Sequence, residues 1–146
     1  MILRALNPQT EQDLFRLAYN FRKKRPRKNP MPFEQFAADY PNQVALGLFD
    51  PELIAVYFFH EIDEQLYQAH WTSRRDADKD AVLTGAKQLV EWFQRNGLQM
   101  AAFIHKRNIP LQRFVLAAGL KRNTCKSDTD RCNLSPNEGT TLEFRS

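Results

Sequence analysis

Residues 64–120 read EQLYQAHWTSRRDADKDAVLTGAKQLVEWFQRNGLQMAAFIHKRNIPLQRFVLAAGL, and their pattern predicts strand, helix, strand, helix. The first strand is expected over 64–73. Val82, Ala86, Leu89, Val90 and Phe93 then recur at helical spacing, which predicts a helix over 79–96 with one apolar face. Asp78 and Asp80 stand at its start, where negative charge suits the positive end of the helix dipole. Gly97 supplies the left-handed residue that ends many helices, and the apolar run 98–105 follows as a strand. Asn108 is a good N-cap for a second helix, with Pro110 in a first turn where its missing N–H costs nothing. Leu111, Phe114, Val115 and Ala118 form the apolar stripe of that helix and Gly119 stops it. A βαβα succession with short connections buries a sheet under helices.

The flanks extend the sheet. Upstream, 2–6 is a short apolar strand, and Thr10 with Asp13 has the spacing of a capping box. The helix behind it is expected to bury Leu14, Leu17, Ala18 and Phe21. It runs into a basic stretch, 22–28, broken by Pro26, and then into a short helical piece over 33–40. Residues 44–49 read as a strand, and Asp50-Pro51 as a turn. Residues 53–62 are nearly continuous hydrophobe, which fits a central strand covered on both faces, with Asp63 turning into the next one. Downstream of Lys121, a strand, a polar loop over 127–139 and a last strand over 140–145 close the chain. The fold class is mixed α/β: one central sheet of about six to seven strands with helices on both faces.

The length, 146 residues, predicts a single domain over 1–146 that buries a core without covalent staples. A net charge of +4 permits an anionic partner without demanding one. Cys125 and Cys132 are read as free thiols of a reducing compartment, with a local disulfide as the alternative. No metal-ligand spacing is visible. No long apolar segment follows Met1, so a cytoplasmic protein without a membrane partner is expected.

Along essentially the whole chain, the element order resembles the GNAT acetyltransferase superfamily. The most specific match is Asn108-Ile109-Pro110-Leu111-Gln112-Arg113-Phe114-Val115-Leu116-Ala117-Ala118-Gly119-Leu120. The family pattern there is roughly Asn-x-x-Ala-x-x-Leu-Tyr-x-x-x-Gly-Phe. The Asn-to-Gly interval is the same, and Leu120 takes the usual Phe place. The chain is also similar to the short GNAT-like proteins of tailed phages, which would place it in a host cytoplasm or a virion. The resemblance implies acetyl-CoA as cofactor and transfer of an acyl group to an amine on a small molecule or protein. It also implies a sheet that splays between its fourth and fifth strands to admit the pantetheine arm.

Two departures qualify what the resemblance implies. The family's cofactor loop, Arg/Gln-x-x-Gly-x-Gly/Ala, lets backbone N–H groups approach a pyrophosphate at a helix N-terminus. The corresponding residues, Arg74-Arg75-Asp76-Ala77-Asp78-Lys79-Asp80-Ala81, contain no glycine and put Asp78 and Asp80 where glycines are expected. Carboxylates there repel a pyrophosphate unless they turn outward as helix caps, which would leave Arg74, Arg75 and Lys79 to offer charge. At the position where many members carry a Tyr general acid, this chain has Val115.

The candidate catalytic residues are His70, a base on the fourth strand, and Glu64 beside the hairpin turn. Against them stand the ordinary readings of a half-buried strand histidine and a solvated turn carboxylate. Arg74, Arg75, Lys79 and Asn108 are the cofactor-binding candidates, although a cap role alone accounts for Asn108. Arg25, Arg27 and Lys28 would hold an acidic substrate or nucleic-acid phosphates, or form a solvated loop. The leading expectation is an acyl-CoA-dependent N-acetyltransferase. The alternatives are a catalytically degenerate GNAT-fold scaffold that works through a protein partner, and nucleic-acid binding through 22–28.

Overall fold

Residues 53–59 are buried without a break. Successive strand side chains point to opposite faces, so such a run has to be covered on both. The computed structural model describes residues 1–22, 44–123 and 141–146. Their elements are β1 (Ile2–Ala5), α1 (Gln12–Arg22), β2 (Val44–Phe49), β3 (Leu53–Asp63), β4 (Leu66–Ser73), α2 (Lys79–Arg95), β5 (Gln99–His105), α3 (Ile109–Ala118), β6 (Lys121–Arg122) and β7 (Thr141–Arg145). The seven strands make one mixed sheet in the order β1-β2-β3-β4-β5-β7-β6. The mixed α/β class is as expected. The helical piece over 33–40, the basic residues Arg25, Arg27 and Lys28, and both cysteines lie outside the described residues.

The described residues fall into two compact units. The first comprises Met1–His60 with Ala69–Gly85. In it β1 pairs antiparallel with β2 (Ile2 opposite Phe49), and β2 pairs antiparallel with β3 (Val44 opposite Phe59). Its core gathers Leu6, Phe15, Ala18, Ala45, Leu53, Val56 and Phe58. The inner face of α1 therefore centres on Phe15 and Ala18. Leu17, expected inside, is 45% exposed. The expected pairing of Thr10 with Asp13 is also replaced. Asn7 Oδ1 accepts from the N–H groups of Gln9 and Thr10, while the Glu11 carboxylate accepts from Asn7 N–H at 3.0 Å. Asn7 and Glu11 thus satisfy the turn, three residues before Thr10 and two before Asp13.

Tyr57 is the one polar side chain inside the buried run of β3. Its hydroxyl donates to the Val82 carbonyl of α2 at 2.6 Å, and burial pushes its pKa well above the ordinary phenol value, so it remains a donor. Room for it comes from Gly85, where an added Cβ would lie 2.8 Å from the Tyr57 hydroxyl oxygen.

The second unit comprises Glu61–Gln68 with Ala86–Ser146. β4 runs parallel to β5 from Leu66 opposite Gln99 to Gln68 opposite Ala101, the neighbourhood expected for a strand–helix–strand unit. The ladder ends there, although β4 continues to Ser73 and β5 to His105. On its other edge β5 pairs antiparallel with β7, from Ala101–Arg145 to His105–Thr141, and β6 closes the sheet against β7. β4 begins at Leu66 because Glu64 and Gln65 form the turn, with Gln65 at φ 58, and Asp63 belongs to β3.

Both helices end in the same way. Gly97 (φ 68) donates to Gln94 O while Leu98 N–H reaches Phe93 O at 2.9 Å. Gly119 (φ 112) donates to Leu116 O while Leu120 N–H reaches Val115 O at 3.0 Å. Each is a Schellman cap, and each needs a residue at ease with positive φ.

Two outcomes are expected. On helix propensity alone Gly85→Ala would stabilise by about 1 kcal/mol. Here it should destabilise on denaturant titration, because crowding of a packed site costs about 1–3 kcal/mol. In a Tyr57→Phe background the loss should shrink or reverse. The second concerns acid. Arg4 Nη2 lies 2.8 Å from Glu11, and this contact, with the Asn7 N–H, holds the Glu11 carboxyl below its usual range. A depressed carboxyl contributes stability above its unfolded pKa and loses it as pH falls through the folded value. The gap in melting temperature between the wild type and Glu11→Gln should therefore be present at neutral pH and close as pH falls below about 4.

Candidate functional site

β4 delivers the chain to the start of α2 through a short turn. Arg74 N–H donates to Ile54 O at 2.8 Å, and Ala77 N–H closes the turn on Arg74 O at 3.1 Å. Asp78 is the N-cap of α2. Its Oδ1 accepts from Asp80 N–H at 2.9 Å, and its carbonyl accepts from Val82 N–H. Of the aspartates in the cofactor-loop position, Asp78 thus answers the helix's own donors.

Asp76 faces Arg74. The guanidinium is held side-on, Nε to Oδ1 at 3.1 Å and Nη2 to Oδ2 at 3.0 Å, while Nη1 reaches Glu52 Oε2 at 3.3 Å. All three nitrogens of Arg74 are engaged. Arg75 and Lys79 are exposed and make no ion pair among the described residues. Within the first unit this segment meets the outer face of α1. Leu17, Asn20, Phe21, Arg74, Arg75 and Asp76 line an open pocket of about 420 Å³. Two apolar walls, one amide and one uncompensated cation suit an anionic ligand with an apolar portion.

The remaining candidates are dispersed. His70 is exposed on β4 and stacks on His60, ring centroids 5.3 Å apart; His60 Nδ1 is buried without a hydrogen-bond partner among the described residues. Glu64 is exposed in the β3–β4 turn, where its N–H takes Asp63 Oδ1. Nearby, the Tyr67 hydroxyl bonds to Glu61, which raises the phenol's pKa. Asn108 is the N-cap of α3, its Oδ1 accepting from Leu111 N–H at 3.3 Å. Gln112 reinforces that turn by donating to Lys106 O at 2.8 Å. Val115 is 2% exposed, in the core.

Sequence patterns did not single out Leu17, Asn20, Phe21 or Glu52 as site residues. The only available signal was that a helix face centred on Phe15 and Ala18 leaves Leu17 outside. A second feature without a sequence signature lies on β7. Glu143, 8% exposed, accepts from Arg145 Nε at 2.6 Å and Asn123 Nδ2 at 2.9 Å, and Arg145 Nη2 is buried without a hydrogen-bond partner among the described residues. Among the described residues no group of three or more His, Cys, Asp or Glu is placed to hold a metal, and no helix is long and apolar enough to cross a membrane.

The fold is that of the GNAT acetyltransferases. A single-residue variant of the spermidine N-acetyltransferase from Vibrio cholerae superposes with a TM-score of 0.72 at 13% identity, over 99% of this chain and 94% of that one. An acetyltransferase of the GNAT family from Streptococcus pneumoniae gives 0.67 at 9% identity, covering 99% and 97%. The Salmonella typhimurium protein yncA, whose structure holds its cofactor acetyl-CoA, gives 0.67 at 10% identity, covering 99% and 92%. At these identities the likeness is one of fold. In sequence, no family profile and no curated protein matches the chain.

The cap on α3 gives a direct check. Asn108→Ala should cost about 1 kcal/mol in equilibrium unfolding, and Asn108→Ser or Asn108→Asp much less, since either supplies the same acceptor.

Proposed function

We propose that the chain, acting as one domain over 1–146, transfers an acyl group from acyl-CoA to an amine, and that the pocket beside Arg75 takes the phosphate-bearing end of the donor. The pocket is the observation that carries this reading. Positive charge at Arg75, without an ion-pair partner among the described residues, stands next to apolar walls from Leu17 and Phe21, with Lys79 at the start of α2. The donor set fits an anionic, partly apolar ligand by charge and size. It lacks the close backbone approach that glycines permit, so affinity is expected to be modest.

Acyl-CoA would supply an activated thioester; the rest falls to the chain. Backbone N–H groups of β4 beyond Gln68, where the ladder with β5 ends, are the donors assigned to the developing oxyanion. His70 is assigned the base that takes the amine proton, and Asn108 keeps its cap role. Glu64, tied into an exposed turn, is assigned no step. A scaffold without catalysis is the competing reading. Val115 favours it, since an apolar side chain in the core cannot protonate a leaving thiolate. The acceptor would be a small amine such as a polyamine or a protein amino group.

Calorimetry with acetyl-CoA tests this. Binding in the high-micromolar to millimolar range, weaker in added salt and reduced about fivefold by Arg75→Ala, is expected. Release of free thiol with a panel of amines should accompany it. No heat of binding at low salt would leave the scaffold.

A further inference from the structure

The pocket contains two arginines in opposite states. Arg75 has no partner among the described residues. Arg74 is engaged at each guanidinium nitrogen: Asp76 grips its Nε–Nη2 edge at 3.1 and 3.0 Å, and Glu52, from the β2–β3 turn, takes Nη1 at 3.3 Å. The backbone of Arg74 is fixed to Ile54 O at 2.8 Å, so the guanidinium is presented from an anchored position. A side-on pair of parallel N–H···O bonds is the geometry in which arginine takes a carboxylate or a phosphate. Asp76 occupies the edge that an incoming oxyanion would use. Asp76 also lines the pocket.

We infer that Asp76 is a built-in stand-in for the anion, so that a phosphate-bearing ligand engages Arg75 first and reaches Arg74 only by displacing the Asp76 carboxylate. This rests on the pocket taking the phosphate end of an acyl donor. Exchange is feasible because the pair is at the surface: the Arg74 side chain is 34% exposed, Asp76 72% and Glu52 82%. Exposed pairs are held weakly and screened by salt. Glu52 makes a single, longer contact and keeps the guanidinium pointed at the same place while its inner edge changes partner. The device selects for charge. A monoanion gains little by replacing one carboxylate with another. A pyrophosphate gains a second negative group, shared between Arg74 and Arg75.

The test uses the whole chain, with inorganic pyrophosphate and acetyl-CoA as probes in parallel calorimetric titrations at two salt concentrations. Asp76→Asn removes the stand-in and keeps the shape. It should tighten both ligands about three- to tenfold and steepen the salt dependence, since one more cation becomes available. Glu52→Gln should give a smaller gain, about twofold. Arg74→Ala, which removes the guanidinium that Asp76 pairs with, should weaken binding, and the Arg74→Ala/Asp76→Ala double variant should return close to the wild type. Melting curves confirm that each variant is folded. If Arg75→Ala weakens both probes while Asp76→Asn leaves them unchanged, the site stands and the stand-in is overturned. If neither probe binds the wild type or folded Asp76→Asn, the inference and the acyl-donor reading fall together.

Discussion

A phenolic hydroxyl placed in the middle of a buried apolar strand must find an acceptor, and much of the first unit is arranged to supply one. An unsatisfied buried hydroxyl costs about 1–3 kcal/mol. Tyr57 meets this constraint at the Val82 carbonyl of α2. The contact requires the helix to pass close to β3 at that point, and close passage requires that residue 85 carry no side chain. One hydrogen bond thus sets how near α2 lies to the strand. The same helix begins a few residues earlier at Asp78, so the Tyr57 contact also bears on where the Arg74–Asp78 turn is held.

That turn carries five charged or capping groups within five residues of one another, and their partners sort them into two kinds. Arg74, Asp76 and Asp78 are occupied by contacts within the chain. Arg75 and Lys79 make no ion pair among the described residues. Formal charge counts along the sequence treat these residues alike, whereas a ligand would meet only the unoccupied ones at long range. The aspartates that seemed to oppose an anion do so less than their number suggests. One is spent on a helix terminus, where it interacts favourably with the N–H groups it caps. Another is neutralised at contact distance.

What could be read from residues 64–120 was the part governed by local rules. Caps depend on one residue and its near neighbours, so Asn108, Gly97 and Gly119 fell where the pattern placed them. The buried strand was legible because a run of hydrophobes without alternation has few other uses. Errors arose wherever two local rules competed. Leu14, Leu17, Ala18 and Phe21 share a helical stripe, but Phe15 is the larger group and turns the helix toward itself, leaving Leu17 outside. Asn7 with Glu11 displaced Thr10 with Asp13 because the longer Glu carboxylate also reaches Arg4. The pocket was illegible for a different reason. Its walls come from 17–21 and 74–76, and no periodicity links segments so far apart. His70 was found on its strand as expected, but its stacking on His60 required knowing what the neighbouring strand placed beside it.

The Glu143–Arg145 pair has a consequence for how β7 finds its place. The two side chains are two residues apart on one strand, so they share a face, and Phe144 between them is in the core at 1% exposure. If β7 slid by one position against β5, Glu143 and Arg145 would move as a couple to the side now filled by the phenyl ring, and that ring would take theirs. The Asn123 N–H, bonded to the Glu143 carbonyl at 2.9 Å, would lose that partner in the shifted register. Misalignment would therefore be penalised on both faces at once. The pair works as a key that fits one alignment of the strand.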